Sequence, residues 1–385
     1  GVEARGPRTV AVTYARPFAP ALAAWARLPL VPEGADPDSF PPIGCGPFRF
    51  ERWDRGERVV LAANREHPRW PPSIGRLVLE VIPEYATRLA ALRAGAVDAT
   101  ALSPTQARSL ASDTEFGERF RVVTYRMLYV WFIAWRMDGS NPFFGDVRVR
   151  RAMTLAIDRQ GFLEALGDRV SRVAVSTFHP DTWAYDPALS PLPTDRKRAA
   201  ALLDEAGWVD RDGDGVRERD GVPFRFPLAF AAGSAEVERI ASFVRDNLAR
   251  VGVVAELTPL EWAVLRDRLQ RRRFVAAMSG MALEPDPDPY DLWHSSQKDG
   301  GLNYPGLADP EVDRLIEAGR TTFDREARAA VYRSLGRRLH ELQPCTFFFY
   351  PGSRLAVVRS LELETSPRGL LGFRPGPAAW RVRSP

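Results

Sequence analysis

The chain has 385 residues, 45% of them hydrophobic and 26% charged, a make-up that allows two or three packed cores and excludes a disordered or collagen-like chain. Its longest apolar run, residues 128–135, falls far short of the about 20 residues that cross a bilayer, so no membrane-spanning helix is expected. Basic residues outnumber acidic ones 53 to 49, for a formal charge of +4, but only Lys197 and Lys298 are lysines. Neither lies in a glycine-rich phosphate loop, and the arginines are spread, with their densest runs at 148–151 and 266–273 interrupted by other residues. A nucleic-acid partner is therefore not expected, because such a footprint concentrates positive charge on one face.

In chain order, residues 8–15 read as a strand, 17–27 as a short helix, and 32–42 as a Pro-rich connector. Strands follow at 46–52, 57–63 and 77–82, where apolar and polar residues alternate, then a helix at 85–94 closed by Gly95. The aromatic-rich stretch 120–135 is strand-like. Residues 146–166 turn helical, with Val147, Ala152, Leu155, Ala156 and Phe162 on one stripe. Further helices are expected at 194–206, 235–251 and 261–272, alternating with strands at 224–230 and 253–258. An acidic, Pro-rich loop at 284–291 precedes helices at 310–318 and 325–342 and a strand at 347–350. Strands alternating with helices predict α/β layers.

Asp210, Asp212, Asp214 and Glu218 sit at positions one, three, five and nine of an EF-hand-like loop with Gly215 at six, but Gly221 stands where the bidentate Glu belongs. A full EF-hand is excluded, leaving either a partial Ca2+ site or a Gly/Asp turn, with no other cofactor expected. Four scattered histidines, His67, His179, His294 and His340, offer no zinc or hydrolase signature. A triad of Ser295, His294 and Asp291 is disfavoured because near-adjacent loop residues do not hold such geometry, so no enzyme is expected.

Several segments together resemble the family 5 extracellular solute-binding proteins, the peptide- and nickel-binding subunits of bacterial ABC importers. They are Gly44-Cys45-Gly46-Pro47-Phe48-Arg49-Phe50 with Trp53 and Gly56; Val81-Ile82-Pro83 with Arg88, Gly95, Val97 and Asp98; and Asp146, Val149-Arg150 and Ala156-Ile157-Asp158-Arg159. Residues 200–221, Asn303-Tyr304 with Pro310-Glu311-Val312-Asp313, and 344–349 fit as well, so the likeness runs over about residues 1–350. Cys45 replaces a usual Thr, and Met281 stands where Trp is frequent.

The resemblance implies a two-lobed α/β fold of the type II periplasmic-binding-protein kind with mixed sheets. Because relatives are longer, part of the first lobe is expected to be missing. Residues 1–41 would be a remnant of an N-terminal subdomain, 42–125 the first lobe, 126–349 the second, and 350–385 a return to the first. It also implies a monomeric receptor in the periplasm, or on the cell surface as a lipoprotein, with its signal outside this sequence. The receptor would close over a solute, a peptide foremost, and dock on the permease of an ABC importer. The alternative is a structural or chaperone-like relative that has lost its ligand.

In peptide-binding relatives an acidic residue just ahead of an Asp-Pro element receives the ligand's amino group. Glu284 matches best, Asp286 next, with Asp288 in the same Pro-stiffened loop; the other reading is a solvated acidic loop. Tyr129, Trp131 and Trp135, alternating on one strand face, and Trp293 are the aromatic candidates, as ligand contacts or as core. The resemblance also brings Cys45 and Cys345 toward one lobe, where they are either bridged or two free thiols.

Overall fold

The computed structural model describes residues 1–28, 31–34, 36, 40–41, 43–371 and 376–383. Of the connector expected at 32–42, residues 35, 37–39 and 42 lie outside the described residues. The chain forms two compact units, a larger one from residues 1–26, 129–162 and 173–350, and a smaller one from 27–128, 163–172 and 351–385. Residues 1–26 cluster with the larger unit. The Ala19 N–H donates to the Arg320 carbonyl, and the Arg320 guanidinium lies 5.0 Å over the Phe18 ring. Residues 163–172 are taken into the smaller unit, where the Asp168 carboxylate pairs with Arg354.

The six-stranded sheet of the larger unit runs, in order, Val254–Leu260, Arg225–Ala231, Ala276–Ala282, Tyr129–Trp135, Cys345–Tyr350 and the two-residue edge strand Arg172–Val173. The first three strands are parallel, and Tyr129–Trp135 is antiparallel to both of its neighbours. The parallel pair needs a crossover, supplied by the helix Ala235–Ala249. Ser234 caps that helix by accepting from the Val237 N–H, while Val237, Ile240, Ala241, Val244 and Leu248 bury one stripe at spacings of three and four. The helix expected over 146–166 is broken into Val147–Ala156 and Arg159–Ala165, because Ile157 takes an extended backbone with ψ 118°. An aromatic cluster fills the core here: Phe143 stacks on Phe224 at 5.0 Å, and Phe144 meets Trp135 at 4.7 Å.

Two residues of the 146–159 segment are buried cations. Arg150 donates to the carbonyls of Phe144, Gly145, Leu342 and Gln343, the last two at the carbonyl end of the helix Arg325–Leu342, whose partial negative charge suits a guanidinium. Arg159 donates to the carbonyls of Ala174, Leu192 and Phe347. Burial pushes both guanidinium pKa values down to about 10, still charged at neutral pH.

In the smaller unit the strands Phe48–Asp54, Arg58–Ala63 and Arg76–Glu80 form an antiparallel sheet. A second sheet places Gly352–Val358 between Ala99–Ala101 and Phe120–Arg126. Its two faces feed separate clusters. Ala356 packs with Leu92, Leu102, Leu110, Phe116 and Phe120, whereas Leu355 and Val357 pack with Leu361 and Trp380.

Candidate functional site

The strand Tyr129–Trp135 pairs with Ala276–Ala282 so that Trp131 lies opposite Gly280 and Tyr129 opposite Ala282. Directly opposed residues share a face, so Tyr129, Trp131, Ile133 and Trp135 line one side of the sheet as the alternation predicts. The face changes character along its length. Ile133 and Trp135 are fully buried, and the Trp135 Nε1 donates to Thr346 Oγ1 at 3.1 Å, which places Trp135 in the core. Tyr129 and Trp131, at the other end, are half-buried and meet edge to face at 5.8 Å. The Tyr129 ring lies across the neighbouring strand at Gly280, where any Cβ would collide with it. Burial raises the Tyr129 hydroxyl pKa, so it remains a neutral hydrogen-bonding group.

Two residues past the Ala282 that pairs with Tyr129 comes Glu284, half-buried at the entry of the acidic loop. The loop's next two carboxylates are turned inward onto the unit's own helices. Arg328 Nη1 donates to Asp286 Oδ1 at 2.7 Å, and its Nη2 to the Pro287 carbonyl at 3.1 Å. Asp288 pairs with Arg320 at 3.2 Å; burial outweighs that charge and leaves its pKa raised. Asp286 and Asp288 therefore fasten the loop to the helices Pro310–Thr321 and Arg325–Leu342, a role the sequence did not disclose. Trp293, also expected at the site, is 1% exposed, with its Nε1 donating to Thr177 Oγ1 at 3.0 Å; it too belongs to the core.

The hydrolase grouping does not assemble. Ser295 turns to Asp313, its N–H donating to Oδ1 at 2.8 Å, while His294 stacks on Tyr290 and contacts Ser296 at 2.8 Å through Nδ1. At the EF-like loop, oxygens of Asp210, Asp212 and Glu218 come within 4.8 Å of one another, but Asp214 is not of that group. The carboxylates are engaged by the loop's own backbone. Asp210 accepts from the N–H groups of Gly213 and Gly215, Asp212 from Asp214, Asp214 from Val216, and Glu218 from Arg211. Calcium finds no support here, and the segment is described by its Gly/Asp turn chemistry.

Cys45 is exposed and Cys345 buried, and both are free thiols, so the bridge weighed from the resemblance is absent. The reason is topological. Cys345 opens a strand paired to Tyr129–Trp135 inside the larger unit, and the chain passes to the smaller unit only at Pro351. Gly280 is the site residue that sequence reasoning missed; its only signal is a glycine in a run of small residues, Ala276–Ala282, with no β-branched side chain to announce a strand.

The profile of the bacterial extracellular solute-binding proteins, family 5, matches residues 1–303. The oligopeptide-binding protein AppA of Bacillus subtilis (strain 168) is 32% identical over 328 residues, which are 83% of this chain and 59% of that protein, so the chain spans about three fifths of that relative's length. The structure of B. subtilis AppA in complex with a nonapeptide superposes with a TM-score of 0.86 at 28% identity, covering 100% of this chain and 78% of the other. NikZ from Campylobacter jejuni, in complex with Ni(L-His), shares the fold at a TM-score of 0.82 and 24% identity, covering 99% and 78%.

Proposed function

Because the chain belongs to the bacterial extracellular solute-binding proteins of family 5, we propose that it acts as an extracytoplasmic receptor that delivers a peptide to an ABC importer. The observation that carries the peptide reading is the open end of the aromatic face, Tyr129 and Trp131, in a chain 32% identical to an oligopeptide-binding protein. Flat rings offer large contact area at little entropic cost without demanding one side-chain sequence, which suits a ligand defined by its backbone. Glu284, half-buried two residues past the Ala282 that pairs with Tyr129, supplies the carboxylate for the peptide's amino terminus. Among the described residues no helix is long and apolar enough to cross a membrane.

The test is native mass spectrometry of the chain purified without denaturation, followed by calorimetric titration with a nonapeptide. A carried-over peptide or a measurable affinity is expected. Replacing both Tyr129 and Trp131 with Ala should weaken binding about thirtyfold or more. Glu284→Gln should cost about 1.5–3 kcal/mol for a peptide with a free amino terminus and little for its N-acetylated form. A chain that emerges bare and ignores peptides would overturn the proposal in favour of a relative that keeps the fold without the ligand.

A further inference from the structure

The arginine run at 266–273 is not used by the peptide site, and the structure sorts its members. Arg271 pairs with Asp267 at 2.7 Å, and Arg272 reaches both Asp299 at 2.5 Å and Asp138 at 3.5 Å. Arg268 and Arg273 instead line a cavity of about 220 Å³ together with Arg136, over a floor that includes Pro227, Ala229 and Phe274. The backbone brings Arg268 and Arg273 together. The helix Trp262–Gln270 ends with the Arg273 N–H donating to the Arg268 carbonyl at 2.7 Å and the Arg272 N–H to Leu269, the paired bonds of a Schellman turn. Arg272 takes the left-handed position at φ 50°, where glycine is usual, so the turn is held against a local conformational cost.

The charges around the cavity do not balance. Arg136 is answered by Asp138 at 3.0 Å, which Arg272 shares, whereas among the described residues Arg268 and Arg273 have no acidic partner. The carbonyl end of the helix supplies about half a negative charge against two guanidinium groups. We propose that this cavity is a second ligand site, distinct from the aromatic face, for a small organic anion: a carboxylate held by Arg268 and Arg273, with an apolar body against Pro227, Ala229 and Phe274. Guanidinium groups bind carboxylates through paired N–H donors, and an apolar floor selects an organic acid over an inorganic ion.

The test is saturation-transfer NMR and calorimetry on the full chain, with benzoate as the probe and benzyl alcohol as its uncharged match. Benzoate should bind at least about tenfold more tightly than benzyl alcohol. Arg268→Gln with Arg273→Gln should weaken benzoate about tenfold, and the exposed Arg273→Gln alone should weaken it measurably. Arg245→Gln, which removes an exposed arginine paired with Asp246, should leave it unchanged. Equal affinity for the two probes, absence of benzoate binding, or benzoate binding untouched by the double substitution overturns the proposal. Nonapeptide binding serves as a separate readout and stays at the parent's value in the Arg268/Arg273 variants, so failure of one site does not decide the other.

Discussion

Arg150 and Arg159 carried much of the family likeness in the sequence, and the structure shows why such residues can mark a fold without touching a ligand. Each is a buried cation answered by backbone carbonyls, so neither Lys nor an apolar residue would satisfy the same set of acceptors. The same scale separates the two cysteines. Burial raises the Cys345 thiol pKa well above its ordinary value, and thiols react as thiolates, whereas Cys45 is exposed. Labelling with a disulfide reagent should therefore modify one thiol in the native protein and the second only after denaturation. Two thiols reacting at equal rates, or none, would contradict the placement. Residue type alone could not have separated them, because burial is a property of the finished sheet.

At the level of elements, the helix Arg325–Leu342 was legible to its ends. Asp324 caps it through the Ala327 N–H, and its apolar residues recur at helical spacing. The strand Ala276–Ala282 was not, since its small side chains carry no strand preference and its pairing on both sides comes from distant segments. Gly319 shows how such context reverses a local rule. It lies inside the helix Pro310–Thr321, where Gly→Ala ordinarily stabilises, but a Cβ there would meet the Tyr332 ring. Tyr332 cannot yield easily, being fully buried and stacked on Phe178 at 5.4 Å and Trp183 at 5.7 Å. Gly319→Ala should destabilise the protein by about 1–3 kcal/mol in chemical denaturation, and a stabilised variant would show that the two helices adjust freely.

For the molecule as a whole, the α/β class and the family were readable from motifs that local packing demands, but the membership of residues 163–172 in the smaller unit was not. Residues 163–172 enter the smaller unit through contacts made with residues nearly two hundred positions later, Arg354 with Asp168 and the Gly352 N–H with Ser171 Oγ. Burial alone would raise the Asp168 pKa, but hydrogen bonds from Ser171 and Val170 and the Arg354 charge hold it below the usual carboxylate range. A carboxyl group depressed in the folded state contributes stability that is present above its unfolded pKa, about 4, and is lost as pH falls through the folded value. Asp168→Asn should thus cost about 3–5 kcal/mol near neutral pH, by leaving Arg354 buried without its partner, and should flatten the fall in stability below about pH 4. An acid profile identical to the parent's would remove the pair from that role. The strand Gly352–Val358 also sets a timetable. It is the middle member of its sheet, so Ala99–Ala101 and Phe120–Arg126 wait without their shared partner while residues 127–351 are translated. At ordinary elongation rates that wait lasts on the order of ten seconds or more. The larger unit, whose last residue is Tyr350, is complete before that strand is made, so the two units finish in a fixed order, the smaller one last.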